Sequence, residues 1–281
     1  MPENYDLHSH STASDGALSP SELIQRAKEQ GVTCLALTDH DTTDGLAEAR
    51  QAATEAGIDL ISGIELSTTW HKHCLHIVGL NIDPESPHLK EGIAKLQTIR
   101  GERAEQIAGK LEKKRIFGAL EAVKATAGAG MITRTHFADF LLSEGHVTTQ
   151  QEAFDRYIGQ GKPAYVSTEW AGLEEAIGWI KESGGIAVLA HPMRYKLTAS
   201  WMKRLLTAFK EVGGDAIEVV CGRNDPTEIQ TSMQYAQKFD LAGSKGSDFH
   251  NPKYVWVELG RLKPLPERIK PVWDLFEAHT Y

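Results

Sequence analysis

Short apolar runs alternate with longer amphipathic stretches over most of this 281-residue chain. The first run, Asp6-Leu7-His8-Ser9-His10, reads as a short strand, and the polar loop over 11–18 that follows it carries Asp15-Gly16. Ser19-Pro20-Ser21-Glu22 then spells a helix start, with Ser19 as N-cap, Pro20 at the first helical position and Glu22 closing a capping box. Leu23, Ile24 and Ala27 give that helix its apolar face, and Gly31 ends it. Residues 34–37 form a second, buried strand leading into Thr38-Asp39-His40-Asp41, a helix over 46–56 stops at Gly57, and 58–66 is a third strand. A fourth strand, 74–81, folds back antiparallel to the third across a turn near His71-Lys72.

From Asp83-Pro84 the character changes to charged helix, the longest over 89–114, with a strand only at 164–166. We read 83–166 as a helical subdomain inserted into a domain made of 1–82 and 167–281. The alternation then resumes: helix 173–183, strand 185–190, helix 199–212, strand 216–220, helix 226–239, strand 241–244, and a short final strand at 255–259. About seven strand–helix units without an internal repeat predict an α/β fold, a barrel-like sheet being favoured over an open one. Periodicity alone does not decide between those two.

Composition narrows the partners. A net charge of −8 argues against unspecific coating of nucleic acid, duplex DNA included, but leaves room for a small anion held by a local positive cluster. Cys34, Cys74 and Cys221 are isolated and odd in number, so no disulfide framework or CxxC zinc pattern can be built from them, which suits a reducing compartment. No basic and apolar leader opens the chain, and no apolar run approaches the roughly 20 residues a membrane span needs. The expectation is a soluble cytoplasmic protein without a membrane or obligate protein partner.

The chemistry lies where strands end. His8 and His10, two apart on a strand, point to one face and make half of a transition-metal site. His40 ends the second strand, Glu65 lies at the end of the third, His76 lies on the fourth, and His191 follows the strand after the insertion. Asp248 and His250 end the last, and Asp15 sits in the first loop. In a barrel these ends share a rim and face one cavity. Each residue has an ordinary alternative: His76 as a core histidine, His191 as a turn residue before Pro192, Glu65 paired with a basic neighbour. A carboxylate buried in an apolar strand is nevertheless costly without a cation, and a metal supplies one. The joint pattern predicts a metal site. The remaining histidines, His71, His73, His88, His146 and His279, read as surface or turn residues.

Asp6-Leu7-His8-Ser9-His10, Asp15-Gly16, Leu37-Thr38-Asp39-His40-Asp41, Gly63-Ile64-Glu65, Ala190-His191-Pro192 and Ser247-Asp248-Phe249-His250 together resemble the motifs of the PHP (polymerase and histidinol phosphatase) family. The position of the insertion, Ile132-Thr133-Arg134-Thr135-His136 and the stretch from Phe154-Asp155-Arg156-Tyr157 to Tyr165 resemble the 3′,5′-nucleoside bisphosphate phosphatases and the related 5′→3′ exoribonucleases of the RNase AM type. Asp15 stands where many relatives have a histidine, as in this subgroup. The resemblance implies a distorted (β/α)7 barrel, TIM-barrel-like, with a two- or three-metal phosphoesterase site at its rim.

Carried over by position, it implies one metal on His8, His10, Glu65 and Asp248, a second sharing Glu65 with His76 and His191, and a third on Asp15, His40 and His250. The carboxylates Asp15, Glu65 and Asp248 are the candidate catalytic residues. Mixed nitrogen and carboxylate ligation suits Mn2+, Fe2+ or Zn2+, with Mn2+ favoured by the resemblance. Three divalent ions facing three carboxylates leave about three positive charges, which attract phosphate. A hydroxide shared between metals would attack phosphorus in line. A second anion site is expected from the insertion: Arg100 and Arg103, one helical turn apart, and Arg134, Thr135, His136 and Lys162. Solvated helix surface is the alternative for Arg100 and Arg103, and Arg223 is a weaker candidate. The expected activity is hydrolysis of the 3′-phosphate of a 3′,5′-nucleoside bisphosphate such as adenosine 3′,5′-bisphosphate. Exonucleolytic trimming of short 5′-phosphorylated RNA ranks second, then histidinol phosphatase, which leaves the basic insertion without a task. A metal-bearing structural module ranks last, because the ligand set is intact.

Overall fold

The computed structural model describes residues 3–276, so His279 lies outside the described residues. Strands β1 (Tyr5–Asp6), β2 (Cys34–Leu37), β3 (Asp59–Trp70) and β4 (His73–Leu80) form the first half of the sheet. After the insertion come β5 (Ala171–Gly172), β6 (Ile186–Leu189), β7 (Ala216–Cys221) and β8 (Ala242–Gly246). The order around the sheet is β1-β2-β3-β4-β6-β7-β8, with the short β5 paired to β3. Backbone bonds from Leu7 N to Lys245 O and from Asp248 N to His8 O, with a parallel bridge between Ser9 and Phe249, join β8 to the continuation of β1. The result is a nearly closed seven-strand barrel.

Its strands pair parallel except β4, which runs antiparallel to both β3 and β6. The all-apolar faces of β2 and β6 are buried throughout, as expected of strands covered on both sides. Outside them pack helices α1 (Pro20–Glu29), α2 (Leu46–Ala56), α7 (Leu173–Glu182), α8 (Ala199–Glu211) and α9 (Pro226–Lys238). The capping box read at Ser19 is formed, with Ser19 Oγ accepting from Glu22 N at 3.2 Å and Glu22 Oε2 from Ser19 N at 2.8 Å.

Between β4 and β5 lie α3 (Pro87–Glu112), α4 (Ala119–Ala127), α5 (Arg134–Ser143) and α6 (Gln150–Ala153), the last continuing as a π-turn over Phe154–Ile158. Helix α3 is about 39 Å long at the usual rise. Its first half, with Leu89, Ile93 and Leu96, packs into the barrel's outer core. Its second half, with Ala104, Ile107 and Leu111, joins Val123, Phe137 and Leu141 in a second core.

Four strand readings differ from the structure, the first being the third strand, which runs on to Trp70 so that Glu65 lies within it and not at its end. Residues 164–166 are a turn followed by extended chain, with Ala164 N bonded to Tyr157 O and Tyr165 N to Lys162 O, and their apolar side chains fill the second core without pairing to a strand. Residues 255–259 form consecutive turns, closed by Val257 N to Tyr254 O at 2.9 Å. The first strand pairs over two residues only, and beyond Asp6 it is held by β8 and the loop after it. No helix among the described residues is long and apolar enough to cross a membrane.

Gly246 shows how tightly this seam closes. A Cβ there would stand 2.3 Å from His8 Cβ and 2.7 Å from His8 N. Gly178, inside α7, meets nothing within 4 Å. Gly246→Ala should therefore lose about 1–3 kcal/mol in urea unfolding, while Gly178→Ala should gain about 0.5–1 kcal/mol. Equal effects would contradict the close approach of β1 and β8.

Candidate metal centre

The site collects at the rim where the parallel strands end. His8 and His10 follow β1 on one face, with their Nε2 atoms 3.1 Å apart, while Ser9 between them turns the other way and donates to Ala36 O. Asp39 shapes the loop that carries Asp15, accepting from Ser11 N and from the hydroxyls of Ser11 and Ser14 at 2.6–2.8 Å. Burial pushes the Asp39 carboxyl up to about 6 against those bonds. His40 follows β2 and bridges Glu65 of β3. His76 reaches this rim because β4 is antiparallel: the beginning of β4 lies beside the ends of its neighbours. His191 and Asp248 follow β6 and β8 with φ of 29° and 55°, and Asp41 after β2 has 51°. Left-handed backbone at non-glycine residues is strained, and such strain collects at functional sites.

Glu65 is the hub. Its Oε1 lies 2.9 Å from His76 Nδ1, 3.1 Å from His191 Nε2 and 3.4 Å from His8 Nε2, and its Oε2 lies 2.9 Å from His40 Nδ1 and 3.3 Å from His10 Nε2. Asp248 Oδ1 lies 3.2 Å from His10 Nε2 and 3.4 Å from His8 Nε2. Asp15 Oδ1 is 3.4 Å from His250 Nε2 and 3.7 Å from His40 Nε2. Burial raises the Glu65 carboxyl, but His76, His40 and His8 outweigh it and hold the group well below the usual range. Burial likewise depresses His76 and His250, and the carboxylates beside them carry the rings up to about 10 and about 9. His10, desolvated and facing His250 and His40, falls to about 3.

These residues fit a metal by geometry and by donor chemistry. Ligand atoms bonded at about 2.1 Å to one ion stand about 3.0–3.4 Å apart in octahedral or tetrahedral arrangements, and the separations above fall largely in that interval. Asp15 Oδ1, Glu65 Oε2, His40 Nδ1, His10 Nδ1 and His191 Nδ1 are buried, and no group meets them at hydrogen-bonding angles, close as Glu65 Oε2 and His40 Nδ1 stand. Three overlapping groups have ligand atoms mutually close enough for one ion: His10, Asp15, His40 and His250; His8, His10 and Glu65; and His40, Glu65 and His76. Glu218 backs the centre, with Oε1 2.6 Å from His8 Nδ1 and Oε2 accepting from His191 N at 2.5 Å. Such a carboxylate fixes which ring nitrogen faces a metal.

The PHP domain profile matches residues 6–211. The chain belongs to the PHP family. It is 47% identical over 98% of its length to the whole of a 5′-3′ exoribonuclease of Haemophilus influenzae. It is 43% identical, over 98% of this chain and 97% of the relative, to a 3′,5′-nucleoside bisphosphate phosphatase of Chromobacterium violaceum. A solved amidohydrolase of Chromobacterium violaceum, holding sulfate and no metal, superposes with a TM-score of 0.93 at 42% identity, over 98% of this chain and 96% of the other.

Two cavities flank the PHP cluster and share His250, Asn251 and Tyr254. The smaller, about 240 Å3, is lined by Asp15, Thr135, His136 and Gln150, and Thr135 Oγ1 donates to Asp15 Oδ2 at 2.8 Å. The larger, about 810 Å3, is lined by Arg194, Lys196, Arg223, Asp248 and Trp256. Arg194, which sequence reasoning passed over, pairs with Asp248. Lys162 is exposed in the turn after the π-helix and lines neither cavity.

Arg100 is neither solvated surface nor free clamp. It is buried and paired with Asp41 at 2.5 Å, with a further bond to Ser67 Oγ at 2.9 Å. The Asp41 partner, far off in sequence, draws it inward. Arg103 Nε is buried without a partner, and burial with Arg134 and Arg100 nearby pulls its pKa down to about 9. Arg103 and Arg134 border a narrow cleft of about 10 Å3. Arg100→Met should cost about 3–5 kcal/mol in urea unfolding, because Asp41 is left buried and unpaired. Arg103→Met should change stability by less than about 1 kcal/mol. The reverse order would contradict the structural role of Arg100.

Proposed function

We propose that this PHP enzyme hydrolyses the ester between phosphorus and O3′ of a 5′-phosphorylated nucleoside, acting first of all on 3′,5′-nucleoside bisphosphates. Adenosine 3′,5′-bisphosphate would give AMP and phosphate. The observation that carries this reading is the buried cluster of imidazoles and carboxylates with unpartnered donor atoms, opening beside a cavity walled by Thr135 and His136. The name of the Chromobacterium relative supports the substrate class.

His8, His10, Glu65 and Asp248 would hold one divalent ion, Glu65, His76 and His191 a second, and Asp15, His40 and His250 a third. Mn2+ is favoured by the mixed nitrogen and oxygen donors, with Fe2+ and Zn2+ as alternatives. When bound, such ions supply positive charge to the phosphoryl oxygens and acidify water. The chain's own residues do the rest. Glu218 orients His8 and adds a fourth buried carboxylate, lowering the excess charge from that counted on three. Arg194 offsets Asp248 at the mouth of the larger cavity. Thr135 and His136, at the start of α5, offer polar atoms to the 5′-phosphate, and the like-charged pair Arg103 and Arg134 behind them attracts it. The insertion, taken as 83–166, would thus serve as the second anion clamp. The unpaired cysteines suit a cytoplasmic setting.

A second reading, 5′→3′ removal of nucleotides from short 5′-phosphorylated RNA, keeps the same bond and the same site. The larger cavity on the far side of the cluster favours it, because that space lies outside the pocket assigned above to the 5′-phosphate.

Phosphate release from adenosine 3′,5′-bisphosphate by Mn2+-loaded protein tests the main reading. Asp248→Asn should lose turnover by more than about 100-fold, beyond the loss that follows removal of an outer partner of a metal ligand, while its folded spectrum is kept. Glu65→Gln should abolish the rise in Tm that Mn2+ gives the parent protein, and Glu218→Gln should weaken Mn2+ binding about 10- to 100-fold. Silence on bisphosphate and RNA alike, with metal bound, would overturn the proposal.

A further inference from the structure

The larger cavity ends in an aromatic wall, and its Trp256 does not line the smaller cavity taken above for the bisphosphate. Tyr254 and Trp256 stack there, with ring centroids 5.5 Å apart and planes 22° from parallel. Trp256 is 56% exposed and Val255, between them, 85%. The Arg223 guanidinium stands 5.7 Å from the Trp256 ring, and Lys196 and Arg194 line the same cavity. A single exposed tryptophan is unremarkable. Here, however, the ring belongs to a stacked pair, carries a cation and borders a cavity that also contains Asp248 and His250.

The wall is also anchored. Tyr254 N donates to Asn251 O at 3.0 Å and Val257 N to Tyr254 O at 2.9 Å. The Tyr254 hydroxyl bonds Gln150 Oε1, tying the loop to α6 of the insertion. A rigid aromatic face flanked by arginine and lysine matches an unpaired nucleobase on a phosphate chain, since bases stack on aromatic rings whatever their sequence.

The bond to be broken defines which base that is. In a bisphosphate the reacting phosphorus carries no further group. In RNA it also carries O5′ of the second nucleotide. The first nucleotide, with its 5′-phosphate, belongs to the insertion side of the cluster, so the second must leave through the larger cavity. We propose that Tyr254, Trp256 and Arg223 form a stacking platform for the base of the second nucleotide of a 5′-phosphorylated RNA. This rests on the reading of the reaction given above. In that step the oxygen of water bonds to phosphorus, the bond from phosphorus to O3′ of the first nucleotide breaks, and O3′ takes the proton. Phosphorus stays on O5′ of the second nucleotide as its new 5′-phosphate. The platform retains that product until its new 5′-phosphorylated end moves across to the insertion side for the next cycle.

The test compares the parent protein, Trp256→Ala and Trp256→Phe, all loaded with Mn2+. The substrates are adenosine 3′,5′-bisphosphate, a 5′-phosphorylated RNA pentamer and the same pentamer with an abasic second position. Trp256→Ala should raise KM for the pentamer about 5- to 150-fold, the range of one base–aromatic stack. Its kcat and KM for the bisphosphate should stay within about twofold, and Trp256→Phe should recover most of the loss. The abasic pentamer should be poor for the parent protein and no worse for Trp256→Ala. An equal loss on the bisphosphate, or an unchanged KM for the pentamer, would overturn the platform. If the parent protein cleaves neither substrate, the reading of the reaction fails separately. Binding of the fluorescently labelled pentamer to Asp248→Asn, with and without Trp256→Ala, then decides the platform by the same expected factor.

Discussion

A carboxylate shut off from solvent, with several imidazoles around it, sets the terms for the whole molecule. Glu65 is fully buried, and ring nitrogens of His8, His10, His40, His76 and His191 crowd its two oxygens within 3.4 Å. Such a charge is tolerated only with positive partners, whether protons on the rings or cations among them. The unpartnered atoms of Asp15, Glu65 and His40 indicate cations. Everything nearby serves to hold these groups at bonding distance from shared points. Glu218 fixes His8, Asp39 ties down the Asp15 loop, and Arg100 with Asp41 pins the long insertion helix against the end of β2 and the middle of β3.

The barrel makes that convergence achievable from residues as distant in sequence as His8 and His250. Parallel strands deliver their ends to one rim. The exception, β4, contributes from its beginning because it runs the other way, which is how a histidine in mid-sequence of an apolar strand reaches the same place. The left-handed backbone at Asp41, His191 and Asp248 is the local cost of turning side chains into the rim, held by the pairing on either side. The insertion then closes one flank and leaves the other as an open cavity, so the two sides of a scissile phosphate meet different surfaces.

Much of this was legible in the sequence, for identifiable reasons. Helices with caps and single apolar faces, such as α1 and α9, end where their residues dictate. His8 and His10 share a face because strands repeat every two residues. The misses share a cause, namely partners supplied from elsewhere in the chain. Arg100 reads as surface or clamp until Asp41 is found beside it. Ala164 and Val166 read as strand because they are apolar and alternate, yet the second core, not a neighbouring strand, buries them. Glu218 carried part of the signal that singled out Glu65, a carboxylate in an apolar strand, here Ala-Ile-Glu-Val-Val-Cys, and was passed over because it lies inside its strand and not at the end. A register shift between Glu218 and Val220 marks the spot in the structure.

If the buried cluster works as a metal centre for phosphoester hydrolysis, the protein must be inert without its ions. The most direct measurement adds Mn2+ stepwise to chelator-stripped protein and follows bound metal by mass spectrometry and bisphosphate turnover together. Turnover should be negligible in the stripped protein, then rise with bound metal and level off as the cluster fills, at about three ions per chain. Full turnover in the presence of chelator, or a filled site without turnover of either bisphosphate or RNA, would contradict that role of the cluster.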